Sequence, residues 1–280
     1  MMDMTELANK VAIVTGGSAG IGLGVAERLA RQGARVVIAD IDEAAGQAVA
    51  NALGGNALFK RTDVADQQQL RDLVEYVAAS CGRLDIMINN AGIGGANHPR
   101  LLDDDLGDFH QVMAIDLLGV MAGTREAARV MKENGGGSIV NISSIGGINA
   151  SSGNWTYHVA KSSVIMFTKC AAIDLGEFNI RVNAIAPGNI ETDILGRNQG
   201  AGVPEEKRAE FTASIRQFII SRQPLKQQGK VDDIAEAVLF FVTDRSRYVT
   251  GTLLPVDGGL VAGTPRTAGG IEGLRKQAQA

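Results

Sequence analysis

Apolar positions along the chain gather into short runs separated by stretches with a helical repeat. The runs are VAIVTG (11–16), RVVIAD (35–40), ALFKRTDV (57–64), LDIMINNAG (84–92), SIVNISS (138–144), IRVNAIAPG (180–188) and LLPVDGG (253–259). Most are rich in Val and Ile, and several lack the in–out alternation of a strand with one wet face. Strands covered on both sides read this way, which predicts a parallel sheet of about seven strands between two helical layers. The intervening segments supply the helices: Ile21, Val25 and Leu29 recur every four residues and are placed to pack behind the first strand. Glycine is spread among the turns and no internal repeat is present, so the pattern predicts one doubly wound α/β domain over residues 1–263.

Two segments break this rhythm. Residues 189–224 form an insertion on the expected substrate side. Its GRNQGAG stretch (196–202) reads as flexible, and a helical piece (205–220) follows with Phe211, Ile215, Phe218 and Ile219 on roughly one face. The tail, residues 264–280, has few core-forming residues. It reads as a disordered end, the alternative being an arm that packs on a neighbouring subunit.

Composition narrows the class. At 280 residues, 45% apolar and 21% charged, the chain has the make-up of an ordinary soluble protein with a sizeable core. A net charge of −4 and a pI near 5.5 leave no basic footprint for nucleic acid. The N-terminus has no apolar core of a signal peptide, and no apolar run approaches the roughly 20 residues of a membrane span. Cys81 and Cys170 share no metal or redox spacing and are expected as reduced core thiols of a cytoplasmic protein. His98, His110 and His158 are too scattered for a metal site and read as surface or satisfied histidines. Asp103, Asp104 and Asp105 read as a solvated helix start rather than a calcium loop.

The candidate chemistry lies at the ends of strands. Gly16, Gly20 and Gly22 stand where the first strand meets its helix, letting backbone approach a pyrophosphate favoured by the helix N-terminus. Asp40 ends the second strand, where a carboxylate binds both ribose hydroxyls of NAD and repels a 2′-phosphate. No Arg or Lys at Gly17, Ser18 or Ile41 offsets it, so NAD is expected over NADP in a Rossmann-type site. Tyr157 and Lys161 are four residues apart on one helix face, and Ser144 ends the fifth run. A free tyrosine, with a pKa of about 10, is a poor base at neutral pH, and an adjacent ammonium favours its phenolate. Tyr157 is thus the candidate general acid/base, with Lys161 supporting it and holding the nicotinamide ribose, while Ser144 hydrogen-bonds the reacting oxygen.

Thr15-Gly16-x-x-x-Gly20-Ile21-Gly22, Asp63-Val64, Asn89-Asn90-Ala91-Gly92, Ser144, Tyr157-x-x-x-Lys161 and Pro187-Gly188 occur in the order seen in short-chain dehydrogenases/reductases. The resemblance spans residues 8–260. It implies that Asp63 and Val64 flank the adenine, that Asn90 contacts the cofactor ribose or stabilises the central strands, and that Ile190 and Thr192 bind the nicotinamide carboxamide. Ser18, Ile21, Ile41, Ala91, Gly92, Pro187 and Gly188 complete the implied cofactor-binding set. A homotetramer is implied too, assembled through helices carrying residues 106–133 and 156–177 with help from the last strand.

One position departs from the family pattern. Asp116 stands where the family usually has an asparagine that supports a water leading from the lysine to solvent, and it joins the candidate catalytic set. Trp155, Asn149 and residues 189–220 are expected to shape a pocket for a hydrophobic or cyclic secondary alcohol. The expected activity is NAD-dependent interconversion of a secondary alcohol and a ketone. Dihydrodiol dehydrogenation, epimerisation and a non-catalytic NAD-binding sensor or scaffold remain its alternatives.

Overall fold

The computed structural model describes residues 5–192 and 204–263. Its seven-stranded sheet is parallel throughout, in the order β3-β2-β1-β4-β5-β6-β7. The strands are β1 (Val11–Thr15), β2 (Arg35–Asp40), β3 (Ala57–Arg61), β4 (Ile86–Asn89), β5 (Gly137–Ile142), β6 (Ile180–Pro187) and β7 (Leu253–Val256).

Each expected run coincides with one of them, β5 starting one residue before its run. Period two explains why the runs look uniformly apolar: Ala12 and Val14 of β1 face one core cluster, and Val11 and Ile13 face the other. The first cluster is closed by α1 (Gly20–Arg31), α2 (Glu43–Leu53) and a late helix, α8 (Val231–Val242). The second is closed by α3 (Gln67–Cys81), α5 (Gly119–Met131) and α6 (Trp155–Leu175). Val25 and Leu29 of α1 are fully buried and Ile21 packs at the cluster's edge, as their spacing predicts.

Strand order reverses beside β1, between β2 and β4, and that opens a crevice at the carboxyl ends of the strands. The run through Asn90–Gly92 leaves the ladder there. The Asn90 and Ala91 amides turn to the Thr15 hydroxyl at 3.0 and 3.1 Å instead of pairing along the strand.

Other expectations need correction. The three aspartates do not start a helix: Leu101–Asp103 is a single 3-10 turn, and α4 begins only at Phe109. Nor is Asp104 solvated, because its side chain is 5% exposed, lies 3.6 Å from His98 and accepts the Leu106 amide. Cys170 is exposed rather than a core thiol, and Cys81 is only partly buried. From α4 (Phe109–Met113) the backbone runs through a π turn, Ala114–Leu118, into α5 without a break. The helical piece of the insertion is α7 (Glu205–Arg222), none of whose residues is buried. The GRNQGAG stretch and the tail beyond Gly263 lie outside the described residues.

Candidate active site

The first turn of α1 is built to receive negative charge. Its N-cap position is Ala19, which supplies no capping side chain, and no acid sits in the first turn. By contrast, Asp42 and Asp66 cap α2 and α3. The free amides of α1 therefore point at the crevice, together with the positive end of the helix dipole. Gly16 adopts φ +62°, and a Cβ on Gly22 would sit 2.0 Å from the Gly16 carbonyl oxygen, so neither of these two positions has room for a side chain. Asn90 braces it, its side-chain amide donating to Thr15 O at 2.9 Å and Gly16 O at 3.1 Å.

Asp40 is placed as its position in β2 predicts. Its carboxylate accepts from the Ser18 amide at 3.1 Å, the Ser18 hydroxyl at 2.6 Å and the Asp42 amide at 3.1 Å. Ile41 beside it is 62% exposed, an apolar surface at the mouth of the crevice. Asp63 accepts the Ala65 amide at 2.9 Å, and Val64 is buried against the Gly119 backbone. Across the crevice, Pro187 ends β6, the Gly188 amide bonds Val256 O at 2.9 Å, and Thr192 lies against Gly20. The Ile190 side chain is buried in the core, so only its backbone can face the crevice. An uncapped helix start, a turn closed to side chains at Gly16 and Gly22, and an acid at the end of β2 together fit a dinucleotide.

The second half of the site sits on α6 and the loop after β5. Lys161 is buried, with Nζ 3.1 Å from Asp116 Oδ2, 3.3 Å from Ile142 O and 5.7 Å from the centroid of the Tyr157 ring. Asp116 Oδ2 is thus the ion-pair partner of this ammonium. Its other oxygen accepts the Ile93 amide at 2.8 Å. Burial pushes the Lys161 ammonium toward neutrality, but Asp116 and then Tyr157 outweigh it and hold the group above its ordinary value. Gly92 lies against both members of the pair. Ser144 caps the 3-10 turn Ile145–Gly147, accepting the Gly146 amide on Oγ at 3.0 Å, which leaves its hydroxyl hydrogen free to donate.

The structure thus sets Lys161 between Asp116 and the Tyr157 ring. Three contributors had no such role in the sequence reading. Thr15 receives the Asn90 and Ala91 amides, Ser143 bonds the Lys161 carbonyl at 2.7 Å, and His158 bonds the loop of Ser144. The paired glycines 146–147 were the available signal, since adjacent small residues mark a close backbone approach.

A family model described as "Enoyl-(Acyl carrier protein) reductase" matches residues 16–261. The chain belongs to the short-chain dehydrogenase/reductase family. It is 39% identical over 258 residues to a cis-4-hydroxycyclohexanecarboxylate dehydrogenase of Sinomonas cyclohexanicum, covering 91% of this chain and 98% of the relative. Levodione reductase superposes with a TM-score of 0.84 at 32% identity, covering 91% of this chain and 99% of the other. A 7α-hydroxysteroid dehydrogenase, solved with NADH and 7-oxo glycochenodeoxycholic acid, gives 0.82 at 33% identity over 95% and 98% of the two chains. As an oxidoreductase of the short-chain dehydrogenase/reductase family, the protein uses a nicotinamide cofactor.

Proposed function

We propose that the protein interconverts a secondary alcohol and a ketone with NAD as cofactor and Tyr157 as general acid/base. The observation that carries this reading is the buried, charged Lys161 beside the Tyr157 ring, next to the bend through Asn90–Gly92. When bound, NAD supplies the hydride acceptor. In the oxidising direction the Tyr157 phenolate takes the hydroxyl proton, and it returns that proton in reduction. Lys161 stabilises the phenolate. Of its three N–H groups one bonds Ile142 O and one faces Asp116, so a third is left for a ribose hydroxyl. Ser144 donates its free hydroxyl hydrogen to the reacting oxygen. Asp40 selects NAD, because no cation sits at Gly17, Ser18 or Ile41 to accept a 2′-phosphate.

A hydrophobic or cyclic substrate is supported by the ring-bearing compounds in the relatives' names. The half-exposed Trp155 and the apolar Phe211 and Phe218 of α7 support it as well. An α7 without buried residues suits a cover for that substrate better than a core element. A homotetramer is supported by an apolar groove on α5 and α6. A cytoplasmic setting is supported by two unpaired cysteines, one of them exposed. Among the described residues no helix is long and apolar enough to cross a membrane.

The test is Tyr157→Phe, assayed with cyclic secondary alcohols and with NAD and NADP side by side. The expected result is a loss of about 10²-fold or more in turnover with NAD binding unchanged, and preference for NAD in the parent. Near-parental turnover in the variant removes the phenol from the mechanism.

A further inference from the structure

We infer that His158 is a positioning residue that holds Ser144 in place for the reaction, an inference resting on the role proposed above for Ser144. His158 follows Tyr157 on α6, and helical geometry turns the two side chains apart by about 100°. What lies in the direction His158 takes is the loop after β5. Its Nδ1 is 2.5 Å from Gly146 O and its Nε2 is 2.8 Å from Ser151 Oγ. A carbonyl can only accept, so Nδ1 carries the proton, and in the neutral ring Nε2 accepts from the Ser151 hydroxyl.

The peptide unit that receives this proton leads straight to Ser144. Its carbonyl belongs to Gly146 and its N–H to Gly147, which donates to Ser144 O at 2.9 Å. The preceding amide, that of Gly146, donates to Ser144 Oγ at 3.0 Å. Imidazole, peptide and serine carbonyl form one hydrogen-bonded chain, and such chains polarise along their length.

Two further contacts fix the same loop on α6. A Cβ on Gly147 would lie 2.7 Å from the Lys161 carbonyl group, so the loop backbone rests directly on the helix. On the other side of Ser144, the Ser143 hydroxyl donates to Lys161 O at 2.7 Å. The His158 ring also stands edge-on to Tyr157, with centroids 6.2 Å apart and planes at 74°. His158 is therefore the side chain that touches both the Tyr157 ring and the loop of Ser144. It sets their spacing without meeting the substrate.

The experiment compares His158→Leu, His158→Ala and His158→Asn with the parent. Asn carries an N–H at the reach of Nδ1 and can keep the bond to Gly146 O, whereas Leu and Ala cannot. The readouts are kcat and KM with cyclic secondary alcohols and NAD, the NADH dissociation constant by fluorescence, and hydrogen exchange at the Gly147 amide. Leu and Ala are expected to lower kcat about tenfold or more, as small misplacements of a catalytic group do, with NADH affinity unchanged and the Gly147 amide exchanging faster. Asn is expected to recover most of both losses.

Parental kcat in His158→Leu and His158→Ala overturns the inference, and so does an Asn variant as impaired as Leu, which would assign the effect to ring bulk. If the parent binds NADH but oxidises none of the alcohols, the proposed function fails. Exchange at Gly147 then still decides the loop tie: faster in Leu and restored in Asn upholds it, unchanged overturns it.

Discussion

At Lys161, burial and charge pull in opposite directions. Burial favours the neutral amine, while the Asp116 carboxylate and the Tyr157 phenol favour the ammonium, and the balance leaves the group above its ordinary value. Because the folded value is raised, the stability this pair contributes is complete below the ordinary lysine value of 10.5 and is lost as pH climbs through the higher folded one. Around neutrality the site always holds a charged lysine. The same carboxylate, however, opposes the help that the ammonium gives to a phenolate. Asp116→Asn keeps an acceptor for the Ile93 amide and removes the opposing charge. The limb of kcat/KM for alcohol oxidation that rises with pH is therefore expected to move to lower pH, by about one unit or less. Its plateau is expected to stay within about threefold of the parent, a barrier change below about 1 kcal/mol. A limb that moves upward would show that the ammonium was lost with its partner; an unmoved one gives Asp116 a structural role only. The closeness of Lys161 to the Tyr157 ring was legible in the sequence because four residues bring a helix back to the same face. His158 was not, because a helical wheel says where a side chain points but not which loop lies there.

At the level of elements, the strands were legible for one reason: layers on both faces force apolar residues onto both sides of each strand. Their exact ends were less so, since the exit of β4 is set by Thr15, a residue from another strand. The π turn at Ala114–Leu118 was invisible as well. It closes with a bond from the Gly119 amide back to Ala114 O, and its seat against Val64 exists only once the chain is folded. Away from the site, Asp85 joins two neighbouring strands at their amino ends. It accepts the Val11 amide at 2.9 Å and Arg83 Nε at 2.8 Å, with Lys10 Nζ at 3.3 Å. Burial alone would raise its pKa, but the Arg83 bond, the Val11 amide and Lys10 outweigh burial and hold it below the usual carboxylate value. The sign is then fixed: the contribution of Asp85 is complete above the unfolded value of 3.8 and disappears as pH falls through the lower folded one. Asp85→Ala is expected to cost about 2–4 kcal/mol near neutrality, read as a lower Tm, with kcat nearly unchanged. The difference from the parent should shrink in acid. A variant as stable as the parent at neutral pH would mean that solvent satisfies Val11 equally well.

For the whole molecule, the decisive feature is how much apolar surface a single chain leaves uncovered. Leu118 and Met121 at the start of α5, Met166 and Ile173 on α6, and Phe178 beyond it are all exposed, Ile173 by 84%. Between these helices runs a groove of about 580 Å³, with Arg125, Arg129 and Lys132 on its α5 side and Asp174 on its α6 side. A contiguous apolar surface of this kind marks an interface. Cations on one wall and an acid on the other make the groove self-complementary, which a two-fold contact requires because each copy presents both walls. That contact alone yields a dimer. The edge of the sheet offers a second surface: β7 is the edge strand, its residues are only partly buried, and Tyr248 before it is fully exposed. Two-fold contacts through both surfaces, with their axes crossing at right angles, would close into the proposed tetramer. Sedimentation of the parent is therefore expected at four times the chain mass of 29.3 kDa. Met121 lines the groove and is exposed, so Met121→Asp places a charge there without touching the core, and is expected to sediment at half that mass or less while keeping a parental circular dichroism spectrum. A parent that sediments as one chain, or a Met121→Asp variant that stays tetrameric, would remove the α5–α6 groove from the assembly.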